Sequence, residues 1–343
     1  MNAAHIVDTH AHVGVPDAET LARNHPDYEM QRASAALRYQ DPVTKAYMDA
    51  IGPVWAESLT NIDTRIAWMD ERSISHQVLS VNPGQYYSWA NRELAAELVQ
   101  TINAHLASVA GGHPDRFLAV ATVSMQHPDL AAQQLRHAVE DLGMVGAQIP
   151  TNAGGRDLSD PAFDDLWRTA HELDCALFIH PMGCPELTQR LAPSYLNNIV
   201  GQPLESTIAL SHIVFSGVLD RFPDLRICTV HGGGYFPHYL GRPTHAYEVR
   251  PDSHSMEHPP HYYLKNLWFD SVVHSPQVLN HLLDVVGVRR VVMGTDYPFD
   301  MGDESPSELL SELEGLTTEA RSLISSDNAW ALLGTHAHGN TAG

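Results

Sequence analysis

Two histidines stand one residue apart near the start of the chain, in the stretch His5-Ile6-Val7-Asp8-Thr9-His10-Ala11-His12-Val13. This largely apolar run predicts a strand, and residues two apart on a strand point to the same side. The imidazoles of His10 and His12 would therefore face one way, which is a beginning for a Zn²⁺ or similar transition-metal site. Taken alone, the pair is equally typical of two surface histidines on a frayed strand, since the chain holds 22 histidines.

Three further polar residues follow apolar runs directly. His180 ends Ala176-Leu177-Phe178-Ile179-His180, His231 precedes three glycines, and Asp296 follows Val291-Val292-Met293-Gly294-Thr295. Each taken singly is typical of an ordinary turn. In a barrel, however, the carboxyl ends of the strands converge on the axis, so all three would meet the first two histidines. Three imidazoles and one carboxylate, with a position left for water, are typical of a catalytic metal site rather than a closed structural one.

Eight short apolar runs predict the strands that position these residues. They are His5–Val13, His76–Val81, Arg116–Val123, Gly146–Ile149, Ala176–His180, Arg226–His231, Leu267–Val273 and Val291–Thr295. Amphipathic segments lie between most of them: Asp63–Arg72, Arg92–Ala110, Asp129–Asp141, Pro161–Leu173, Leu204–Phe222 and Pro276–Val286. Alternation of strand and helix predicts parallel βαβ units, and eight units indicate an α/β protein with a closed (β/α)8 TIM barrel. The competing arrangement is an open doubly wound sheet, but no glycine-rich dinucleotide fingerprint follows the first strand.

We expect one barrel domain over residues 1–343, a length typical of a barrel with insertions. Residues 14–61 interrupt the alternation. A long segment after a barrel strand lies on the C-terminal face, so this insertion is interpreted as a lid or small subdomain, or equally as a surface decoration used in dimerisation. Residues 326–334 predict a terminal helix, with Ser326 or Asp327 as N-cap and Gly334 past its end. Residues 336–343 are small and polar and predict a disordered tail.

Charge and composition exclude several classes of function. The net charge is −21, and no basic face for nucleic acid or a membrane surface is visible. A carboxylated substrate would need positive charge focused locally by a metal or an arginine. No run approaches the roughly 18 apolar residues of a membrane span, and the N-terminus does not read as a signal peptide. Three scattered cysteines, Cys175, Cys184 and Cys228, indicate a reducing compartment without disulfides, so we expect a cytoplasmic protein.

Together these motifs resemble the amidohydrolase superfamily. Within it they resemble the branch of metal-dependent, non-oxidative decarboxylases that includes 2-amino-3-carboxymuconate-6-semialdehyde decarboxylase. The resemblance runs from about His5 to Leu333. It rests on Asp8-Thr9-His10-Ala11-His12, Ile179-His180-Pro181, His231-Gly232-Gly233-Gly234, Phe269-Asp270-Ser271, Gly294-Thr295-Asp296-Tyr297-Pro298-Phe299, and on Asp63, Arg65-Ile66 and Met69-Asp70 ahead of the second strand.

The resemblance implies a role for each matching residue. One divalent metal would be held by His10, His12, His180 and Asp296. His231 would stand beside the metal-bound water as general base and hydrogen-bond donor. Arg242 matches an arginine that grips a substrate carboxylate across a dimer interface, although it also reads as a helix-end arginine in a surface ion pair. The implied assembly is a homodimer or a higher homo-oligomer.

Lysine is scarce, and this bears on the number of metal ions. Binuclear amidohydrolases bridge two metals with a carboxylated lysine at the end of the fourth strand, where this chain reads Gly146-Ala147-Gln148-Ile149-Pro150. The only lysines are Lys45, in the insertion, and Lys265, ahead of the seventh strand. We therefore expect a mononuclear site.

The chain departs from the branch at one substrate-binding position. The decarboxylases compared have an arginine just before the proline that aligns with Pro53, and here the residue is Gly52. Arg23, Arg32 or Arg38 of the insertion could replace it, and the sequence does not select among them. The resorcylate and hydroxybenzoate decarboxylases usually begin with Glu-x-His, so the His-x-His of this chain favours the other group.

The expected function is decarboxylation, without oxidation, of a small unsaturated or aromatic carboxylic acid. The expected metal is Zn²⁺, with Mn²⁺ or Co²⁺ as alternatives. Two other hypotheses remain open from the residues alone. One is a hydratase, or a hydrolase of C–C or C–N bonds, built on the same site. The other is a barrel that binds metal structurally or has lost activity, which the complete His/His/His/Asp set disfavours.

Overall fold

The computed structural model describes residues 5–334, and the tail predicted at 336–343 lies outside them. Every predicted strand is present. The strands are β1 Ile6–Val13, β2 Ile74–Val81, β3 Phe117–Ala119, β4 Ala121–Thr122, β5 Gly146–Pro150, β6 Asn152–Ala153, β7 Arg156–Asp157, β8 Ala176–His180, β9 Arg226–Thr229, β10 Leu267–Asp270 and β11 Val291–Val292. All pairs are parallel except β6 with β7, which form a small antiparallel hairpin.

The barrel strands follow one another in chain order. One run of paired strands is β1-β2-β3 and the other is β4-β5-β8-β9-β10-β11. Val120 joins the runs at one side, since its N–H donates to Leu79 O at 2.9 Å. At the other side β1 meets the end of β11, where Thr9 N donates to Met293 O at 2.9 Å and His12 N donates to Tyr297 O at 2.8 Å. These hydrogen bonds complete a (β/α)8 ring, as predicted.

Helices occupy the connections between the strands. They are α1 Pro16–Arg23, α2 Tyr28–Ala36, α3 Pro42–Thr60, α4 Ile62–Glu71, α5 Arg92–Gly112, α6 Pro128–Glu140, α7 Asp164–Glu172, α8 Thr188–Leu191, α9 Gln202–Phe215, α10 Val218–Arg221, α11 Gly241–Val249, α12 Pro276–Val286, α13 Pro306–Ser311, α14 Thr318–Ser322 and α15 Asn328–Leu333. Among the described residues no helix has the length and apolar character needed to cross a membrane.

Two helical predictions need correction. The single helix predicted over 204–222 is divided into α9 and α10 at Gly217, whose φ of 69° is left-handed and cannot continue an α-helix. The predicted cap of the terminal helix is also wrong. Asp327 has helical torsions and its side chain caps nothing, because α15 continues directly from the π-helical segment Leu323–Asp327. Gly334 does end the helix, with φ 72°.

The barrel interior is apolar beneath its C-terminal end. Val78, Leu118, Phe178, Cys228 and Trp268 belong to one buried cluster, which Leu332 and Leu333 of α15 join. Phe178 and Trp268 stand two residues before His180 and Asp270, so by the alternation of a strand the apolar layer supports the polar one above it. All three cysteines are buried and free, in agreement with the expectation of no disulfide.

The insertion at residues 14–61 folds as α1, α2, the 3-10 turn Leu37–Tyr39 and α3. The Tyr39 ring lies 5.7 Å from the Tyr195 ring, on the segment that follows β8. At the far end of the insertion Trp55 meets Phe299 edge-to-face at 5.2 Å, on the loop after β11. The insertion therefore contacts loops at the C-terminal end of the barrel on both sides of the histidine cluster.

Candidate active site

The predicted metal ligands converge at the C-terminal ends of three strands. His10 and His12 lie on β1, His180 is the last residue of β8, and Asp296 follows β11. The Nε2 atoms of His10 and His12 are 3.1 Å apart, and Asp296 Oδ1 lies 3.0 Å from His12 Nε2 and 3.4 Å from His10 Nε2. One potential ligand atom from each of the four residues falls within 4.8 Å of all the others, and all four residues are buried.

Outer contacts orient each imidazole. His10 Nδ1 lies 2.7 Å from Asp270 Oδ2, His12 Nδ1 lies 3.1 Å from Ser80 Oγ, and His180 Nδ1 lies 2.8 Å from the carbonyl oxygen of Pro181. A carboxylate or carbonyl can only accept, so the Nδ1 atoms of His10 and His180 carry the protons. Their Nε2 atoms consequently present lone pairs to the centre of the cluster.

This arrangement fits a divalent cation. His180 Nε2 is buried without a hydrogen-bond partner among the described residues, and a cation at the centre of the cluster would supply one. A tetrahedral ion with ligands at about 2.05 Å has ligand-to-ligand edges of about 3.3 Å. The separations of 3.0–3.4 Å among His10, His12 and Asp296 match those edges. The residues present therefore suit a metal ion with nitrogen and oxygen ligands.

Burial and charge set the protonation of the ligands. Burial lowers the pKa of His12 to about 4 and lowers that of His180 well below its ordinary value, so both imidazoles are neutral at pH 7. For Asp296, burial favours the neutral acid, but the neighbouring imidazoles of His10, His12 and His231 outweigh it and hold the pKa well below its ordinary value. Two neutral imidazoles and one carboxylate are the protonation states that metal ligation requires.

His231 stands at the edge of the same cluster, after β9. Its Nε2 lies 3.4 Å from Asp296 Oδ2, and its ring centroid is 5.2 Å from those of His10 and His180. His231 and Asp296 both line a cavity of about 650 Å³, which we call the metal-site cavity. The cavity is also lined by Asn198, Ile199, Gln202, Pro203, Gly234, Tyr235, His238, Val272, Val273, His274, Gln277, Val278, His281 and Met301. Its walls are thus largely apolar, with histidines at intervals.

Two residues of the cluster have left-handed backbone torsions. The φ of His231 is 54° and that of Asp296 is 59°, values that cost energy for any residue with a Cβ. Asp296 N donates to His10 O at 2.8 Å, which fixes this conformation against β1. Such strained residues, maintained by their surroundings, are typical of functional sites.

A buried polar network below the cluster was not identified from the sequence. Asp8 accepts hydrogen bonds from Thr295 Oγ1 at 2.6 Å and Gln77 Nε2 at 2.8 Å, and it therefore links the first strand to the last. Arg65, fully buried on α4, donates to Gln77 Oε1 at 2.8 Å and also to the carbonyl of His12. The sequence signal for Arg65 was its match to the family helix, but its partners depend on the three-dimensional packing of α4 against β1.

Arg242 is not brought to the cluster within the chain. It lies on α11, is exposed, and does not line the metal-site cavity. Gly52 lies on α3, where a Cβ would meet no atom within 4 Å, so packing does not require glycine there. Of the three arginines considered as replacements, Arg23 is bound to Glu19 at 3.2 Å, whereas Arg32 and Arg38 line a second cavity.

The two lysines are engaged away from the cluster. Lys45 pairs with Asp49 on the exposed side of α3, and Lys265 lies over the Tyr262 ring. The end of β5 carries no lysine, and Gln148 there donates to the carbonyl of Val81 at 3.1 Å. The prediction of a single metal ion stays a prediction that metal analysis can test.

Comparisons with known proteins agree with this geometry. A family model described as amidohydrolase matches residues 7–335. A 2-amino-3-carboxymuconate-6-semialdehyde decarboxylase of Dictyostelium discoideum is 34% identical over 276 residues, which cover 79% of this chain and 76% of the relative. The crystal structure of 2,6-dihydroxybenzoate decarboxylase from Rhizobium matches with a TM-score of 0.80 and 25% identity, over 96% of this chain and 99% of that one.

A third comparison concerns the metal. The crystal structure of a dihydroxybenzoic acid decarboxylase from Polaromonas sp. JS666, with bound manganese and the inhibitor 2-nitroresorcinol, matches with a TM-score of 0.81. It is 21% identical and the match covers 96% of this chain and 97% of that one, so it supports the fold.

Proposed function

Because the chain belongs to the amidohydrolase family, we propose that it is a metal-dependent decarboxylase that removes CO2, without oxidation, from a small unsaturated or aromatic carboxylic acid. The observation that carries this proposal is the convergence of three imidazoles and one carboxylate at a cavity that His231 also lines. The decarboxylases among its relatives support the reaction class.

The metal would be held by His10, His12, His180 and Asp296. A divalent ion there supplies a Lewis acid that stabilises the negative charge developed as CO2 leaves. Zn²⁺ is proposed because the shell is rich in imidazole and its edges suit a tetrahedral ion. Mn²⁺ or Co²⁺ are the alternatives, and the manganese in the Polaromonas relative makes a direct comparison of these ions necessary.

We propose that His231 delivers the proton that replaces CO2 on the substrate carbon. Imidazole is the side chain best suited to exchange protons near neutral pH, and His231 Nε2 is directed toward Asp296 at the edge of the metal-site cavity. In the reaction the C–C bond to the carboxylate breaks, and its electron pair stays on the ring or vinyl carbon. A proton delivered from His231 then takes the place of CO2.

The need for positive charge to bind a substrate carboxylate supports a homodimeric assembly. Among the described residues, no lysine or arginine lines the metal-site cavity. Within this cavity, positive charge for the reacting carboxylate is therefore proposed to come from the metal and from another subunit. Arg242 is exposed and makes no ion pair or hydrogen bond within the described part of its own chain, so it is free to reach the site of a second copy. We propose a homodimer in which Arg242 acts in this way.

We also propose a role for the insertion and a cellular location for the protein. Residues 14–61 are proposed as a lid within a single domain, since Trp55 packs on Phe299, whose ring lies 5.5 Å from that of His12. A cytoplasmic location is supported by three buried free cysteines.

The test is CO2 release by the metal-loaded enzyme from a panel of unsaturated and aromatic acids in ¹⁸O-water. We expect CO2 from at least one acid, with no ¹⁸O in the organic product. Label in the product without CO2 would instead identify a hydratase or a C–C or C–N hydrolase that uses the same site. Absence of any conversion over the whole panel, with each metal, would count against the proposed reaction.

A further inference from the structure

A second cavity lies on the other side of the barrel mouth. Its volume is about 520 Å³, and it is bounded by α2 and the turn Leu37–Tyr39 of the insertion and by the loops after β2, β5 and β8. It shares no lining residue with the metal-site cavity. We call it the Arg38 cavity, after the residue of most interest in its wall.

Arg38 is a half-buried guanidinium without a counter-charge. It lines the cavity, and it makes no hydrogen bond or ion pair among the described residues. Guanidinium groups partly withdrawn from water gain most from a bidentate contact with a carboxylate or phosphate. An anionic ligand would supply the partner that the protein does not.

The other charged residues in the cavity wall already have partners, so Arg38 is the group available to bind an anion. Arg32 also lines the wall, but it is exposed and pairs weakly with Glu29 at 3.6 Å. Glu19 is the one carboxylate in the wall among the described residues. Its oxygens accept hydrogen bonds from the hydroxyls of Tyr28 and Tyr87 and from Arg23, so its charge is already compensated.

The rest of the wall suits a ring. Tyr86 and Trp89 line the cavity with Tyr28 and Tyr87, and the last two have their hydroxyls occupied by Glu19. Aromatic walls with a single oriented cation are a combination that recognises a flat organic anion. We propose that the Arg38 cavity binds a small aromatic or unsaturated carboxylate, with its carboxylate group on Arg38.

The position of the cavity indicates two sources for such a carboxylate. Met182 in its wall is two residues from His180, so their Cα atoms are at most about 7 Å apart. One source is therefore the distal carboxylate of a dicarboxylic acid that also reaches the metal. The other is a separate carboxylate ligand that does not contact the metal.

Isothermal titration calorimetry with isophthalate (benzene-1,3-dicarboxylate) tests the site. We expect Arg38→Gln to weaken binding at least about tenfold, as for a lost charge-assisted contact. Arg38→Lys should give an intermediate loss of affinity, because lysine keeps the positive charge but lacks the planar guanidinium that makes a bidentate contact. Arg168→Gln, which removes the same charge from an exposed position outside the cavity wall, should bind within about twofold of the unmodified protein.

Equal affinity in the Arg38→Gln and Arg168→Gln variants would overturn the proposal. So would the absence of isophthalate binding to the unmodified protein up to about 10 mM, where even a millimolar Kd is detected. The source is decided by repeating the titration on chelator-stripped protein. If the stripped protein binds isophthalate with the same Kd, and binding still depends on Arg38, the cavity takes a separate ligand. If the stripped protein no longer binds isophthalate, the ligand spans the Arg38 cavity and the metal site. Binding is read without turnover, so this result stands apart from the test of decarboxylation.

Discussion

The Nδ1 atom of His10 lies 2.7 Å from Oδ2 of Asp270, and both side chains are buried. The other carboxylate oxygen, Oδ1, accepts hydrogen bonds from Gly232 N at 2.8 Å and Val272 N at 3.2 Å, so the carboxylate is held from the loops after β9 and β10. A carboxylate behind a ligating histidine fixes the ring and raises its basicity. The orientation of His10 is therefore set by residues outside the ligand set.

Asp270→Asn should weaken metal binding by about 10- to 100-fold, because the amide has one acceptor oxygen where the carboxylate has two. Competition with a chromogenic chelator measures the affinity. Asp284→Asn, at an exposed position on α12, is the matched control and should leave the affinity unchanged. A metal affinity equal in both variants would show that Asp270 does not orient the ligand.

His231→Ala should lower turnover by about 10²- to 10⁴-fold, the range for loss of a general acid or base. Metal content should stay at the level of the unmodified protein, because His231 is outside the four-residue ligand set. Steady-state CO2 release and elemental analysis of the same samples give both values. Full activity in this variant would refute the proton-transfer role, and loss of metal would make His231 a ligand.

Arg65→Met should cost about 3 kcal/mol in the free energy of unfolding. The substitution leaves Gln77 Oε1 and the carbonyl of His12 without their buried donor, and a buried acceptor stripped of a charged partner is among the costliest losses. Urea unfolding of the metal-loaded protein measures it. Arg168→Met removes an exposed arginine paired with Asp165 and should cost less than about 1 kcal/mol. Similar costs for the two variants would contradict the buried network.

Removal of the metal should destabilise the fold. A ligand that binds only the native state adds about 2.7 kcal/mol at a free concentration 100 times its Kd, and His10, His12, His180 and Asp296 are brought together only by the fold. Thermal unfolding after chelation, and after return of Zn²⁺, Mn²⁺ or Co²⁺ separately, would rank the ions. We expect Zn²⁺ to restore the most stability. Unfolding curves that coincide with and without every ion would contradict the proposed site.

Glu19 gives a prediction about pH. Burial raises the pKa of Glu19, but hydrogen bonds from Tyr28, Tyr87 and Arg23 outweigh burial and hold it below its ordinary value of 4.5. When the pKa of a carboxyl group is lower in the folded state than in the unfolded state, its ionised form stabilises the protein at pH values above the unfolded-state pKa. This stabilisation is lost as the pH falls through the folded-state pKa. Glu19→Gln should thus be less stable than the unmodified protein at pH 7, by a margin that narrows below about pH 4.5.

Urea titrations at pH 7 and pH 4 measure that margin. Glu29→Gln is the control, since Glu29 is 78% exposed in its side chain and pairs only with exposed Arg32. A margin for Glu19→Gln that does not change with pH would mean that the charge of Glu19 contributes nothing.

The sequence was sufficient to predict the barrel and the convergence of the ligands. Each predicted ligand sits where an apolar run ends, and parallel strands place such ends together, so His12 and Asp296 could be brought into contact across 284 positions. The roles of His231 and Arg242 remain proposals. Strand bounds needed only small changes, such as β11, which ends at Val292 where Thr295 was expected.

Other features depend on tertiary contacts that no local pattern encodes. Asp270 was part of a recognised motif, but its pairing with His10 requires β10 and β1 to lie on the two sides of β11 in the barrel. The choice among Arg23, Arg32 and Arg38 required the path of the insertion, because only the structure shows that Arg32 and Arg38 line a cavity at the barrel mouth. The division of the helix at Gly217 was readable in principle, since glycine favours left-handed torsions.

The ligand set also constrains how the protein matures. Asp296 leaves the ribosome 284 residues after His12. At about 5–20 residues per second, that interval is roughly 15–60 s. During synthesis the first two histidines are exposed as an incomplete chelate, so a nascent chain could capture an ion without its final geometry. At the proposed metal site, the full set of four ligands therefore exists only after Asp296 has been synthesised and the last strand has joined the barrel.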